Sequence, residues 1–209
     1  MNLTLGDTRL IIDACKKQGL SRSQCAYVLA TAYHETAHTM TPVREYGGET
    51  YLRKKPYYPY VGMGYVQLTW KANYERASNE LGYDFVANPK ALLQPKYAAP
   101  ILILGMSEGW FTGKKLSDYI GGNGADFLHA RRIVNGLDKA DLIAGYAKDY
   151  VLLLNADGYG LSAPPAPVPP PSPAPEPVVV PSPPVVVPVA TAPSFWASLF
   201  SAIGKLFGK

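Results

Sequence analysis

Cysteine is scarce in this chain, with only Cys15 and Cys25 among 209 residues. The two thiols can meet only if neighbouring antiparallel helices bring them together. A chain of this size needs no covalent staple, so buried free thiols are the expectation. Net charge is also small, at +4 from 20 basic and 16 acidic side chains. That excess is too slight to argue for nucleic acid, and neither an arginine-rich groove nor a zinc-finger spacing is present. No run of eighteen apolar residues occurs, which excludes a transmembrane bundle. The first residues, Met1 to Asp7, have neither a basic stretch nor an apolar stretch of the secretory type. What the chain does have is 47 % hydrophobic and 11 % aromatic residues, enough apolar surface for one buried core.

Proline divides the chain. Six prolines lie in residues 1–161 and fourteen between Pro164 and Pro193. A stretch so poor in backbone donors cannot form a hydrogen-bonded element. Residues 161–193 are therefore expected to be an extended spacer reaching on the order of 100 Å. Beyond it, Phe195, Trp196, Leu199, Phe200, Ile203, Leu206 and Phe207 give residues 194–209 an apolar face, with Ser198, Ser201, Lys205 and Lys209 opposite. Sixteen helical residues cover about 24 Å, a length suited to lying in a membrane interface. Docking back on the core and self-association are the alternatives.

Residues 1–160 read as one mainly helical domain. A first helix is expected over 7–18, stopping at Gly19. Ser21 and Gln24 have capping-box spacing, and Cys25, Val28, Leu29, Ala32 and Thr36 mark one face of the next helix, bounded by Pro42. Residues 43–66 read as loops with short strands. Thr69 is expected to cap a helix running to Leu81 and Gly82. Gln94-Pro95 opens another through Ile101, Leu102 and Trp110. Gly121 to Gly124 read as a loop, and two last helices are expected at 125–134 and 138–155.

The segment Tyr33-His34-Glu35-Thr36-Ala37-His38 carries the chemistry and supports two readings. It fits H-E-x-x-H, in which two imidazoles four apart on a helix share zinc beside a basic Glu. The extended metzincin pattern fails, because Thr41 and Arg44 stand where Gly and His are needed, and His129 is the one other histidine. The second reading pairs carboxylates, as glycosidases do. Glu35, near a helix end after an apolar face, is placed for partial burial and the general-acid role. Glu45 and Glu49 follow in a loop where solvent keeps a carboxylate charged.

Tyr60-Val-Gly-Met-Gly-Tyr-Val-Gln-Leu-Thr-Trp-Lys-Ala-Asn-Tyr74 favours the second reading. It resembles the Y-x-G-R-G-x-x-Q-L-T-x-x-x-N-Y signature of family-19 glycoside hydrolases, which include plant-type chitinases and phage or prophage endolysins. Tyr33 to Thr36 resembles the family's H-E-T segment, and Val43 to Tyr46 its V-R-E segment. Ala99 to Trp110 is similar to its core helix, and Arg132 to Gly136 resembles its I-x-N-G segment. The pieces occur in family order across roughly residues 20–155. The short connection from Glu35 to Glu45 is similar to the compact endolysin branch.

The resemblance implies a mainly α, lysozyme-like α+β domain with two helical lobes, a small irregular β region and a cleft between the lobes. It implies Glu35 as general acid and Glu45 as general base, with Thr69 helping to hold the attacking water. Gln67, Asn73 and Asn135 would bind sugar, with Tyr60 and His34 beside them at the cleft. No metal or cofactor is implied. Met63 departs from the family, standing where Arg is usual. Met cannot make a guanidinium's hydrogen bonds, so the site is either weakened or compensated through Arg44, Arg131 or Arg132. Among Tyr46, Tyr51, Tyr57, Tyr58, Tyr60 and Tyr65, some are expected as sugar subsites and others as loop packing.

The expected function is hydrolysis of β-1,4 bonds in peptidoglycan by an inverting endolysin, with chitin hydrolysis, zinc proteolysis and a non-enzymatic wall-binding or membrane-active module as alternatives. The expected partners are peptidoglycan and, through residues 194–209, an anionic membrane or lipopolysaccharide. A monomer is expected. The protein would be made in a host cytoplasm and would act on the wall after release. Deleting residues 193–209 should leave hydrolysis of isolated peptidoglycan intact and weaken binding to anionic vesicles. Co-sedimentation with the vesicles measures this, and equal binding by the truncated chain would contradict it.

Overall fold

Local chain chemistry sets the helix boundaries in the computed structural model, which describes residues 1–122 and 124–160. The expected spacer at 161–193 and terminal helix at 194–209 lie outside the described residues. Helix α1 (Thr8–Lys17) is followed by Gly19 at φ 71°, a left-handed turn that glycine takes without strain. Ser21 then starts α2 (Arg22–Glu35). Its Oγ accepts from the Gln24 amide at 3.3 Å, and Gln24 Oε1 accepts from the Ser21 amide at 3.0 Å. The expected capping box therefore forms, satisfying two otherwise orphaned donors.

Helix α2 stops at Glu35, well short of Pro42. The reason is Thr36, whose hydroxyl donates to Ala32 O at 2.7 Å and accepts from the Met40 amide at 3.0 Å. The second bond pulls the chain out of the helical path, and Ala37, His38 and Met40 all adopt positive φ. Asp7 N also donates to Met40 O at 2.8 Å, tying this turn to the start of α1.

Two short strands, β1 (Val43–Arg44) and β2 (Met63–Gly64), pair antiparallel, with Val43 opposite Gly64 and Arg44 opposite Met63. Between them runs α3 (Gly48–Leu52), a helix the expected loop did not include. Helix α4 (Lys71–Leu81) ends on left-handed Gly82, as expected. Its N-cap position is Trp70, however, and the Thr69 hydroxyl donates to Gln67 O at 2.8 Å instead of capping. Helix α5 (Pro95–Glu108) ends before Trp110, because Gly109 turns left-handed at φ 78°. Next come α6 (Leu116–Tyr119) and the antiparallel pair β3 (Ile120–Gly121) and β4 (Gly124–Ala125). Only a 3-10 turn at His129–Ile133 occupies the helix expected over 125–134. Helix α7 (Ala140–Ala156) closes the described chain.

The architecture is mainly helical, with seven α-helices and two small antiparallel sheets among the described residues. Its apolar side chains gather in two clusters. The larger surrounds α2, where every residue from Cys25 to Ala32 is buried. The sequence pattern marks one face of α2, but Tyr27, Ala30 and Thr31 are buried as well, where α7 packs on the helix and Phe127 stacks on Tyr27. Cys15 and Cys25 are free and buried in this cluster. The smaller cluster holds Leu52, Met63, Leu68, Tyr74, Phe85 and Trp110. Replacing the cap, Ser21→Ala, should cost about 1 kcal/mol. In a domain of this size that lowers Tm by roughly 2–4 °C in a thermal melt.

Candidate active site

Glu35 occupies the last turn of α2, with its side chain 20 % exposed. Arg131, only 3 % exposed, donates from Nη1 to Glu35 Oε1 at 2.7 Å. Its Nε donates to Asp138 O at 3.1 Å. The 3-10 turn carries Arg131 across to α2, and the bond from Asn135 N to Arg131 O at 3.0 Å brings Asn135 close behind it. A buried guanidinium held at both ends fixes the orientation of the carboxyl. Of the three arginines considered as substitutes for the one missing at position 63, it is Arg131 that reaches Glu35.

Glu45 directly follows β1 and extends the ladder, its amide donating to Gly62 O at 2.7 Å. Its carboxylate is held at both oxygens. Tyr57 Oη donates to Oε1 at 2.6 Å, and the Gly62 amide donates to Oε2 at 3.0 Å. The bond to Glu45 is the main reason the Tyr57 hydroxyl is pushed up to about 12. Gly62 lies close against two of the neighbouring side chains. A Cβ at that position would lie 2.8 Å from Gln67 Oε1 and 3.3 Å from Thr69 Oγ1. Glu45, Gln67 and Thr69 therefore converge around one glycine.

The hydrogen bonds already made determine what each expected site residue can still offer. Gln67 Nε2 donates to Val43 O at 3.0 Å and faces Gly64 O at 3.4 Å. Thr69 has committed its proton to Gln67 O, which leaves its oxygen to accept. Asn73 Nδ2 donates to Thr69 O at 2.8 Å, and Asn135 Oδ1 accepts from the Gly136 amide at 2.8 Å. Asn73 Oδ1 and Asn135 Nδ2 make no hydrogen bond among the described residues. Tyr60 stands edge-on to Tyr74 at 5.3 Å, and Tyr57 edge-on to the half-exposed Trp70 at 5.3 Å. Tyr65 is different from these rings. It is fully buried and donates to Asp7 Oδ2 at 2.8 Å, so it belongs to the core.

Glu35 and Glu45 thus belong to separate networks, and no hydrogen bond or ion pair joins them. Among the described residues, five of the six non-glycine residues at positive φ follow Glu35 or lie in the Gln67–Trp70 turn beside Glu45. Such strain persists only where surrounding structure enforces it, and it concentrates at working sites.

The H-E-x-x-H arrangement does not form. The helix ends at Glu35, and His38, at φ 70°, stacks on Tyr33 at 4.4 Å with its Nε2 3.3 Å from Tyr146 Oη. The two imidazoles therefore lack the single helical face that zinc ligation by this motif needs. Met63 lies in the smaller apolar cluster, opposite Arg44. Sequence reasoning missed two features here: Tyr57 as a donor to Glu45, and Gly62 as the pivot of the site. The glycine inside the Tyr60–Tyr74 segment was the available signal for the second. Compared with known proteins, the chain matches no family model and no curated protein.

Burial pushes the His34 imidazole below its ordinary value, with Glu35 partly opposing. As pH falls through about 6.5 the unfolded chain takes up the proton first. Stability then declines until the folded-state value is passed. His34→Gln should therefore lose less stability than wild type between pH 7 and pH 5, measured by urea unfolding at each pH. An unchanged difference would contradict the assignment.

Proposed function

We propose that the described residues form a glycoside hydrolase of the two-carboxylate, inverting type. The observation that carries this reading is the pair of separately anchored carboxyls, Glu35 on Arg131 and Glu45 on Tyr57 and Gly62. The ordered resemblance of the surrounding segments to family-19 glycoside hydrolases supports it. In this reading the two apolar clusters are the lobes of a lysozyme-like α+β fold, and the saccharide lies in a cleft between them.

The proposed substrate is the β-1,4-linked N-acetylmuramic acid and N-acetylglucosamine polymer of bacterial peptidoglycan, and the protein is then an endolysin-type lysozyme. A water sits between Glu45 and the anomeric carbon. It gives one proton to Glu45 and directs its other toward Thr69 Oγ1, while its oxygen attacks. Glu35 delivers a proton to the departing glycosidic oxygen. Inverting enzymes place the two carboxyl groups about 6.5–9.5 Å apart to leave room for this water. Gln67 Oε1 and Asn73 Oδ1 accept from sugar N–H and O–H groups, and Asn135 Nδ2 donates. The chemistry requires neither metal nor cofactor.

Arg131 orients the Glu35 carboxyl, and Asp138 O gives the guanidinium a second anchor. Residues 194–209 would add contact with an anionic membrane or lipopolysaccharide. The enzyme would act as a monomer on the wall after release from the cytoplasm where it is made.

Glu35→Gln should lower kcat on purified peptidoglycan by about 10²–10⁴-fold, with far-ultraviolet circular dichroism unchanged. Mass spectrometry should find saccharide fragments with new reducing ends, and proton NMR of the first products should show the α-anomer. A chelator should leave the rate unaltered. Peptide-bond products, or full activity in the glutamine variant, would end the proposal.

A further inference from the structure

A concave site lies beside β1, the strand directly before Glu45. Its volume is about 820 Å³, and neither Glu35 nor Glu45 lines it. Arg44, Glu49, Tyr58, Met63, Lys90 and Gln94 are among its walls. Successive residues of an extended chain point to opposite faces. Glu45 turns to Gly62 and Tyr57, so Arg44 turns to this cavity, beside its register partner Met63.

The charges here are unbalanced. Glu49 is the acidic residue in the wall, and both of its oxygens are engaged. Oε1 accepts from Tyr58 Oη at 2.6 Å and lies 3.6 Å from Arg53 Nε, and Oε2 accepts from Arg44 Nη2 at 2.9 Å. These partners hold the Glu49 carboxyl below the ordinary carboxylate range, so it stays charged and keeps Arg44 in place. Lys90 is exposed and has no ion pair among the described residues. The wall therefore carries a surplus positive charge. The Gln94 amide and the neighbouring Asn88 add donors and acceptors of the kind that bind peptide groups. Met63 contributes an apolar floor and no charge of its own.

A neutral glycan gives such a cavity nothing to neutralise. The peptide side branches of peptidoglycan do, because they carry free carboxylates and amide backbones on alternate sugars. The volume falls within the roughly 300–1,000 Å³ typical of small-ligand sites, a size suited to a short peptide.

We infer that this cavity binds the carboxylate-bearing stem peptide of a peptidoglycan strand, with Lys90 and Arg44 taking its carboxylates. The inference rests on the hydrolase reading above and extends it. The protein would recognise the wall polymer through its peptide as well as its sugar, which separates peptidoglycan from chitin.

The test uses the full chain and two substrates: glycan strands bearing stem peptides, and the same strands stripped by an amidase, which keep a lactyl carboxylate on the sugar but lose the peptide. The ratio of kcat/KM on peptide-bearing to stripped strands should exceed one and fall about threefold to fivefold in Lys90→Glu, through KM. In a parallel titration, a soluble stem tetrapeptide should shift the backbone amide NMR signals of Asn88, Lys90 and Gln94. Lys90→Glu or 0.5 M salt should weaken that shift. An unchanged ratio, or a tetrapeptide that leaves these signals unmoved at millimolar concentration, overturns the inference. Failure of the wild type to cleave either strand sinks the hydrolase reading instead, and the titration then decides the cavity independently.

Discussion

The ion pair between Arg131 and Glu35 ties the end of α2 to the 3-10 turn before α7. Its guanidinium is almost wholly buried, and a buried charge without a partner costs about 3–5 kcal/mol. The fold must therefore deliver Glu35 to one end of α2 and Arg131 to the 3-10 turn before α7, 96 positions later in the chain. The packing of α2 against α7 achieves this. Thr36 completes the arrangement by ending α2 directly after the carboxyl, so that Glu35 stands at a helix end rather than inside the core.

Glu45 is anchored on a different principle. Its oxygens meet a neutral hydroxyl and a backbone amide, with no cation on either. One carboxyl is thus held by a buried charge and the other by dipoles at a glycine turn. These are the two carboxyls to which the proposed hydrolase reading gives its acid and base. Arg44, at the end of β1 just before Glu45, lines a cavity whose wall has a surplus positive charge.

Several elements were legible without coordinates, because the interactions that make them are local. The Ser21–Gln24 box needs only a spacing of three, and the Gly19 and Gly82 terminators need only a residue tolerant of positive φ. The turn from Gln67 to Trp70 was not legible. Thr69 has the chemistry of a helix cap, but Gln67 at φ 54° offers its carbonyl to that hydroxyl instead. In α5, the helix pattern continues toward Trp110, yet Gly109 ends it. H-E-x-x-H failed for the same kind of reason. The motif presumes a continuing helix, and the Thr36–Met40 bond removes it.

The sequence by itself determined the largely helical character of residues 1–160, the candidate carboxyls and the glutamine, threonine and asparagine near the second of them. These follow from side-chain chemistry and short-range spacing, which are present in any conformation of the chain. The tertiary structure alone decided which arginine holds Glu35, that Tyr57 and Gly62 hold Glu45, and that His38 turns to Tyr33 and Tyr146. Those partners are distant in the chain or depend on a strained turn, and only the packing of α2 with α7 and the pairing of β1 with β2 brings them within hydrogen-bond reach.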